Sequence, residues 1–426
     1  MTSQFEGFFS IEALRKDYEC LLAAKYDYIE ERSYLPPGAD RKDRNEFEKQ
    51  IDQHLRAINR KVLQGRWVFS PFLETAVPKP DGGTRVISLA TIRDTLVQRA
   101  LYQYLYPSID PQLSDSAVAY RKGKGAHLAV RRMREAFSSG NKFLLDADIE
   151  KFFDKVDHNI LMDRLSGVAM DPRASGLIDQ FVKAPRITPE DKELADSSRP
   201  RTKYPRKKRY LGLPQGGVLS GMLANYYLCH LDRMIEETEN VLIRYADDFV
   251  VCCPTKADVA EVREIASLAL DDLNLQLHPC KTDERTASEG VNFVGFRIDN
   301  QAVRVKPENI ARFKGRIRKV IDSHRLYLSS AEEDLERLIR RLRYKIEGPK
   351  EELKEHPEVS NPYQRSWIGY YRIVNDYKQI KNLDNWLRKQ ISKYSWQVHG
   401  VKVTAKDMQR LGLTSLMATY WRSKGS

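Results

Sequence analysis

Two adjacent aspartates, Asp247 and Asp248, are the residues of this chain whose types and spacing most strongly suggest chemistry. They stand between two apolar runs, residues 241–243 and 249–251. Such runs around a short polar tip predict a β-hairpin with both carboxylates at its bend. An isolated Asp-Asp pair is usually a solvated turn, but a pair that interrupts apolar strands is better explained by a divalent cation that neutralises it. We therefore predict a metal site at this bend.

A second acidic segment, residues 143–154, supplies a third carboxylate. It opens with apolar and acidic residues in alternation, which places Asp146 and Asp148 on one face of a predicted strand. Magnesium held by a few carboxylates and by substrate phosphates suits phosphoryl transfer, in which two ions contact the attacking and leaving oxygens. We predict that Asp148, Asp247 and Asp248 bind two Mg²⁺ ions, with Mn²⁺ as a substitute, and that Asp146 is structural.

A glycine-rich stretch, residues 212–221, lies between the two acidic segments and precedes an apolar, helix-like run at 222–228. Glycines allow a backbone to approach a ligand closely, and helix N-termini attract anions. Because clusters of glycine and proline are usually ordinary turns, this stretch is informative only together with its acidic neighbours.

In their order along the chain, these three segments resemble motifs A, B and C of reverse transcriptases, and of group II intron maturases most closely. The matching sequences are Asp-Ile-Glu-Lys-Phe-Phe-Asp, Leu-Pro-Gln-Gly-Gly-Val-Leu-Ser and Tyr-Ala-Asp-Asp. Shorter matches lie at residues 78–85, 120–123, 281–282 and 292–296, and a weaker one begins at 361. The resemblance implies an α+β right-hand polymerase with fingers, palm and a mostly helical thumb. It also implies an RNA-directed DNA polymerase that makes cDNA from an RNA template, with dNTPs and a DNA primer or cDNA product as partners.

The resemblance also assigns roles to individual residues. Phe153, five residues beyond Asp148, resembles a steric gate that rejects a 2′-hydroxyl, so deoxynucleotides are the expected substrate. Lys281 resembles the lysine that protonates the departing pyrophosphate, and a plain surface lysine remains an equal alternative. Phe293 and Gly295 resemble a primer grip. The expected catalytic residues are therefore Asp148, Asp247, Asp248 and Lys281.

Residues 80–83, Pro-Asp-Gly-Gly, signal a turn between two strands. Lys79 and Arg85 then lie on opposite strands of one hairpin, from which both could reach a triphosphate. By the same resemblance, Gln215 and the glycines after it shape the floor of the nucleotide pocket. The expected nucleotide-binding residues are Lys79, Arg85, Phe153, Gln215 and Gly216.

Basic residues predict a polyanionic partner. The chain has 71 Lys and Arg against 59 Asp and Glu, a net charge of +12, which favours nucleic acid. Residues 199–209 contain seven of these cations, which suggests a basic flap over the template, with a solvated insertion as an equal alternative. A basic amphipathic helix at 330–346 suggests a thumb that grips the duplex backbone. The expected nucleic-acid-binding residues are Arg121, Arg199, Arg201, Lys203, Arg206, Lys207, Lys208, Arg209, Phe293, Gly295, Arg340 and Arg341.

The length of 426 residues predicts more than one lobe. We expect an N-terminal helical extension at 1–64, fingers and palm at 65–300, and a helical thumb or maturase-like region at 301–426. A single helix is expected over 41–64, because an apolar stripe recurs there at helical spacing. Residues 348–362 are interpreted as a linker or exposed loop.

Targeting and redox signals are weak. The sequence has no run of eighteen apolar residues and no signal-peptide start, and its five cysteines form no Cys-x-x-Cys pair. We expect a cytoplasmic protein with reduced thiols and no membrane partner.

Three departures from the maturase pattern bear on biological role. Gly221 stands where maturases usually have proline, Tyr120 opens a Tyr-Arg-Lys sequence in place of Phe-Arg-Pro, and no Cys/His cluster for an endonuclease precedes Ser426. These departures favour a stand-alone bacterial enzyme with a dedicated structured non-coding RNA, for which antiphage defence is one candidate role. The alternative is a group II intron-encoded maturase that acts in RNA splicing and mobility.

Three other classes of protein are alternatives to a reverse transcriptase. Phe153 argues against an RNA-dependent RNA polymerase, because ribonucleotide users need a small residue or another arrangement at that position. The three retained aspartates argue against a purely non-catalytic splicing cofactor. A primer-independent or protein-primed transferase is not separable from templated synthesis on sequence alone.

Overall fold

The structure is a computed structural model of the whole chain. It describes residues 2–27, 32–78, 83–198, 203–324, 330–348 and 366–424. Lys79, Arg199, Arg201 and all but the first residue of the predicted linker at 348–362 lie outside these ranges. Contacts divide the chain into two compact units, one of residues 1–22 and 34–287 and one of residues 23–33 and 288–426.

Helices make up most of the regular structure in the described residues, and one short 3₁₀ helix (Asp110–Gln112) follows the longest helix of the first unit. In chain order the helices are α1 (Thr2–Phe8), α2 (Ile11–Ala24), α3 (Arg44–Glu48), α4 (Ile51–Leu63), α5 (Ile92–Ile109), α6 (Ala126–Ser138), α7 (Phe152–Lys155), α8 (His158–Leu165), α9 (Pro172–Val182), α10 (Pro189–Ser197), α11 (Ser220–Tyr227), α12 (Cys229–Glu236), α13 (Lys256–Asp271), α14 (Pro307–Asp322), α15 (Ala331–Glu347), α16 (Trp367–Tyr370), α17 (Tyr377–His399), α18 (Ala405–Arg410) and α19 (Leu416–Lys424).

The strands are short and form several separate sheets. In chain order they are β1 (Tyr26–Asp27), β2 (Arg32–Ser33), β3 (Phe72–Pro78), β4 (Thr84–Leu89), β5 (Phe143–Asp148), β6 (Arg186–Ile187), β7 (Val241–Tyr245), β8 (Asp248–Cys253), β9 (Asp283–Thr286), β10 (Val291–Phe293), β11 (Phe296–Ile298) and β12 (Val303–Val305).

The central sheet of the first unit has the strand order β7-β8-β5-β9, and all its pairs are antiparallel. The predicted hairpin is present as β7 and β8, and the predicted acidic strand is β5. The inward face of this sheet buries Leu145, Phe249 and Val251, and α13 packs against β5 and β8. This packing against a helix gives the carboxylates at the strand ends a rigid base.

A second sheet of the first unit has the order β4-β3-β6. Strands β3 and β4 are antiparallel and pair from Leu73 with Leu89 to Pro78 with Thr84. The two strands expected on either side of the Pro-Asp-Gly-Gly sequence are therefore present, and Arg85 lies opposite Val77 on the exposed part of β4.

The helix expected over 41–64 is instead two helices, α3 and α4. Asp43 caps α3 through a reciprocal capping box with Glu46, and Gln50 leaves helical geometry with a φ of −134°. The apolar stripe nevertheless survives the break, because Phe47 stacks on His54 with ring centroids 4.9 Å apart. The helical spacing of apolar residues predicted the buried face but not the break between α3 and α4.

The second unit contains the basic helix predicted near residue 330. Ser330 accepts a hydrogen bond from the Glu333 backbone nitrogen at 3.3 Å and begins α15. The apolar face is fully buried as expected, through Leu335, Leu338, Ile339 and Leu342. Among the aromatic residues beyond 366, Trp367, Tyr371 and Tyr394 are buried, whereas Trp396 is 57% exposed.

A buried carboxylate, Asp334 of α15, joins this helix to α17 and to the segment that follows α14. It accepts hydrogen bonds from Tyr394 at 2.8 Å, from His399 at 2.9 Å and from His324 at 3.1 Å. Burial opposes its charge, but the hydrogen bonds from His399 and Tyr394 lower the pKa of Asp334. Arg341 lies 3.2 Å from Nδ1 of His324, and an arginine can only donate, so His324 must donate from Nε2.

Candidate active site

The hairpin tip is two residues long, Ala246 and Asp247, between Tyr245 and Asp248. Ala246 has a φ of +64°, the left-handed conformation that two-residue hairpin loops use. A residue with a Cβ adopts it at a cost of about 1 kcal/mol. Both aspartates are thereby held at the end of a rigid ribbon.

The acidic strand ends beside this tip. Asp148 of β5 pairs directly with Asp248 of β8, and the backbone nitrogen of Ile149 donates to the carbonyl of Asp247 at 3.2 Å. The sheet register thus brings together the three carboxylates that the sequence selected.

Electrostatics at this point are unfavourable for the carboxylates alone. Burial and then the negative charge of Asp148 raise the pKa of Asp247. Burial and then the charges of Asp146, Asp148 and Asp247 raise the pKa of Asp248 well above its usual value. Half-buried, mutually repelling oxygen ligands of this kind fit a hard divalent cation, which would relieve the repulsion.

A lysine already contacts one of the three carboxylates. The ammonium of Lys281 lies 2.9 Å from Oδ2 of Asp148, and its side chain is half exposed. Within the described ranges, no three His, Cys, Asp or Glu side chains are placed to hold a metal ion as they stand.

Asp146, expected to be structural, faces a different partner. Nε of Arg285 on β9 donates to its Oδ2 at 3.1 Å. This ion pair links β5 to the neighbouring strand β9, which fits a structural role for Asp146.

A fully buried ion pair between Arg244 and Asp232 supports the hairpin tip. Two guanidinium nitrogens donate to the two carboxylate oxygens, each at 2.6 Å, and both side chains have no exposed surface. The third nitrogen lies 3.0 Å from the Ala246 carbonyl and 3.0 Å from Oδ1 of Asn225. The amide of Asn225 donates in turn to the carbonyl of Ala119 at 2.7 Å.

Sequence reasoning missed these positioning residues. The available signal was Arg244 itself, a charged residue inside the apolar strand Val241–Tyr245. A buried charge must be paired, so an acidic partner was implied, although the sequence does not say which one.

The glycine-rich loop connects α7, which follows the acidic strand, to the β3–β4 sheet. Backbone hydrogen bonds run from Leu213 to the carbonyl of Phe153 at 2.7 Å and from Ser88 of β4 to the carbonyl of Gln215 at 2.7 Å. Gly212 has a φ of +86°, and a Cβ there would lie 2.7 Å from the Phe153 carbonyl oxygen. Glycine is therefore required at the point where this loop meets Phe153.

The predicted nucleotide-binding residues that the structure describes lie around this loop. Phe153 is half-buried and packs edge-on against Phe152. Gly216 has a φ of +97°, and the backbone nitrogen of Val218 donates to the side chain of Gln98 at 2.8 Å.

Two of the predicted nucleic-acid-binding cations are paired inside the protein. Arg121 is buried and donates to Oδ1 of Asp110 at 2.8 Å and to its carbonyl at 3.0 Å. Arg209 is buried and lies 3.1 Å from Glu74. These pairings are typical of structural arginines, and nucleic-acid binding by either residue stays a prediction.

The remaining basic residues of the 203–209 stretch stay on the surface. Lys203, Arg206 and Lys208 are exposed. Lys207 is also exposed and lies 2.9 Å from Asp191 of α10. This stretch is tied to the sheet by paired backbone hydrogen bonds between Lys207 and Arg186, both at 2.8 Å.

In the second unit, the two predicted primer-grip residues differ in exposure. The ring of Phe293 is fully buried, so any contact it makes with a primer must use its backbone. Gly295 has a φ of +87° in the turn between β10 and β11. On α15, Arg340 is exposed, whereas Arg341 is half-buried beside His324.

No helix in the described ranges is long and apolar enough to cross a membrane.

Comparison with known proteins identifies the family. Residues 77–298 match the family model described as reverse transcriptase (RNA-dependent DNA polymerase). This match spans more than half of the chain, so the chain belongs to the reverse transcriptase family. The α+β right-hand fold and the group II intron-like resemblance expected from the sequence are confirmed, and the enzyme class is nucleotidyltransferase.

Several individual proteins are similar over part of their length. Protein YkfC of Escherichia coli is 25% identical over 62% of this chain and 75% of its own length. The group II intron-encoded protein LtrA of Lactococcus lactis is 26% identical over 43% of this chain and 28% of its own. A putative COX1/OXI3 intron 1 protein of Saccharomyces cerevisiae is 28% identical over 44% and 21%, respectively. The chain thus spans less than a third of the length of each of these intron-encoded relatives.

Among solved structures, a telomerase from Candida albicans in complex with a fragment of telomeric RNA has a TM-score of 0.43 and 12% sequence identity. The match covers 86% of this chain and 68% of the telomerase chain.

Replacing Arg244 with methionine should destabilise the first unit by about 3–5 kcal/mol, because Asp232 would remain as an unpaired buried carboxylate. The double variant Arg244→Met with Asp232→Leu should recover most of that stability but not polymerase activity, since the Ala246 carbonyl still lacks its donor. Urea unfolding and primer extension measure the two effects. A double variant as unstable as the single one would contradict this account of the pair.

Proposed function

We propose that this chain is an RNA-directed DNA polymerase that copies an RNA template into cDNA by two-metal nucleotidyl transfer. The observation that carries the proposal is the direct pairing of Asp148 with Asp248, beside Asp247, at the end of the central sheet. Three carboxylates at one point are what a pair of Mg²⁺ or Mn²⁺ ions needs.

The proposed reaction forms a bond from the primer 3′-oxygen to the α-phosphorus of a dNTP and breaks the bond to pyrophosphate. Asp148, Asp247 and Asp248 would hold the metal ions, which when bound promote attack by the 3′-oxygen and stabilise charge on the phosphates. Lys281, released from Asp148, would donate a proton to the departing pyrophosphate. Its side chain is half exposed, so the ammonium can approach a substrate bound at the site.

The side chains around the glycine-rich loop would select the nucleotide. Arg85 on the exposed end of β4 would bind the triphosphate, together with Lys79. Phe153 would lie under the sugar, where its ring leaves no room for a 2′-hydroxyl. Gln215 and Gly216 would form the pocket floor, because their loop is fixed to β4 and to Phe153 by backbone hydrogen bonds.

We further propose that the enzyme acts on one structured non-coding RNA in the cytoplasm, with antiphage defence as one candidate setting. The support is the surface cluster Lys203, Arg206 and Lys208 in the first unit and the exposed Arg340 of the basic helix in the second. The intron-encoded relatives favour one competing function, that of a maturase bound to its own intron. Sequencing the RNA that copurifies with the protein separates the two.

The first test of the proposal replaces Asp247 and Asp248 with asparagine. DNA synthesis on an RNA template with dNTPs and Mg²⁺ should be lost, because the metal ligands are gone. The thermal midpoint of unfolding should rise, because two mutually repelling, half-buried charges are removed.

The matched control for that test is a second adjacent pair, Asp271 and Asp272, which is exposed at the end of α13. Its conversion to asparagine should leave synthesis intact. Near-wild-type synthesis by the Asp247/Asp248 variant would overturn the metal assignment.

The second test concerns the sugar. Phe153→Ala should raise the ratio of ribonucleotide to deoxynucleotide incorporation by about 10-fold or more, because the ring that would meet a 2′-hydroxyl is removed. Competition between rNTPs and dNTPs on one primer–template measures this ratio. If the ratio does not change, another residue sets the sugar preference.

The third test concerns the dedicated RNA. Converting Lys203, Arg206 and Lys208 to glutamine should weaken binding of the copurified RNA and reduce the slope of log affinity against log salt by about two to three units. Synthesis on a short generic primer–template should be much less affected.

The matched control removes the same charge from Arg56, Arg60 and Lys61, which are exposed on α4. Its salt slope should stay near that of the wild type. Equal losses in both variants, or copurification of a random sample of cellular RNA, would reject the dedicated-RNA proposal while leaving the polymerase proposal intact.

A further inference from the structure

The segment that leads to Tyr120 runs beside the hairpin that carries Asp247. The backbone nitrogen of Val118 donates to the Arg244 carbonyl, and that of Arg244 donates to the Ser116 carbonyl, both at 2.9 Å. This pairing is parallel, so the chain continues from residue 118 towards the hairpin tip. Tyr120 therefore lies on the side of β7 where the catalytic carboxylates are.

The backbone at Tyr120 is strained and held on both sides. Tyr120 has a φ of +56°, which is unusual for a bulky residue. The carbonyl before it, on Ala119, accepts the Asn225 amide at 2.7 Å, and the residue after it, Arg121, is anchored to Asp110 at 2.8 Å. Strain that the surroundings impose in this way is found mainly at functional sites.

The ring of Tyr120 rests directly on the backbone of Gly221, at the start of α11. A Cβ at position 221 would lie 2.7 Å from Cδ1 and 2.8 Å from Cβ of Tyr120. Any larger residue at 221, proline included, would displace the ring. Tyr120 and Gly221 both depart from the maturase pattern, and they are the two partners of this single contact.

Tyr120 lies near charged residues of the site. It is 51% exposed, and its electrostatic neighbours are Asp247, Tyr245 and Arg85. The phenol of a tyrosine is a hydrogen-bond donor throughout the neutral range. A donor near both a proposed metal-binding carboxylate and the exposed arginine of β4 can reach an anionic group that binds to both.

We propose that Tyr120 contacts the incoming deoxynucleoside triphosphate, and that its hydroxyl donates a hydrogen bond to a triphosphate oxygen while Gly221 provides the space for its ring. This inference rests on the proposed polymerase function and adds a specificity-determining residue to it. The group that Arg85 and a metal ion on Asp247 would share is the triphosphate, which commits Tyr120 to that part of the substrate.

The test begins with Tyr120→Phe, which keeps the ring and removes only the hydroxyl. The KM for dNTP should rise about 10-fold or more, as expected for loss of a hydrogen bond to a charged group, while kcat and the affinity for primer–template stay within about twofold. Tyr34→Phe, at an exposed tyrosine of the same unit, is the control and should leave the KM unchanged. A dNTP KM within twofold of wild type for Tyr120→Phe would overturn the inference.

A second pair of variants tests the contact with the glycine. Gly221→Ala should raise the KM for dNTP in the wild-type background, because the added methyl group displaces the ring, and should have no further effect in a Tyr120→Ala background. Equal effects in both backgrounds would show that Gly221 acts without Tyr120, and the inference would fail. Thermal midpoints identify variants that have lost their fold.

A binding measurement separates this inference from the polymerase proposal. The Kd of a fluorescent dNTP analogue, measured with primer–template and Mg²⁺ present, should rise in Tyr120→Phe by the same factor as the KM. If the wild type binds the analogue but extends no primer, the proposed function fails, and the comparison of Kd values still decides whether Tyr120 contacts the nucleotide. A wild type that does not bind the analogue would refute both.

Discussion

The buried ion pair between Arg244 and Asp232 is the interaction on which the catalytic region most depends. Removing two charges from water is costly, and the cost is offset only when every hydrogen-bonding group is satisfied. Here one guanidinium satisfies a carboxylate, an amide oxygen and a backbone carbonyl, and so ties α12, α11 and the hairpin tip together. The geometry of the tip is therefore as rigid as the pair, and the same network, through Asn225, fixes the segment that leads to Tyr120.

That rigidity is needed because the site concentrates like charges. The raised pKa values of Asp247 and Asp248 show that the fold holds these carboxylates where their ionised forms are disfavoured. A flexible tip would let them separate into solvent. The buried pair and the sheet register prevent this separation, so the electrostatic strain remains available to a cation that relieves it. In the proposed function, a local loss of stability would thus favour metal binding, which is a common relation between an active site and its scaffold.

The sequence predicted the features that depend on local pattern. The hairpin, the acidic strand and the capped helix α15 follow from period-two or helical spacing and from turn chemistry, which act over a few residues. It did not predict features that tertiary contacts decide. Arg121 was selected from a short sequence match and Arg209 from a basic cluster, and the sequence did not show that they pair with Asp110 and Glu74. The partner of Arg244 was likewise not predictable, because a charge inside an apolar strand implies an acidic partner but does not say which one.

The glycine-rich loop explains how residues far apart in sequence could act as one nucleotide pocket. Its backbone is hydrogen-bonded to Phe153 on one side and to Ser88 of β4 on the other, and Gln98 of α5 holds its far end. Main-chain hydrogen bonds of this kind fix distance more tightly than side-chain contacts, because they carry no rotamer freedom. The loop therefore holds three parts of the proposed pocket in a fixed arrangement: Phe153 as the sugar gate, the pocket floor, and strand β4, which bears Arg85.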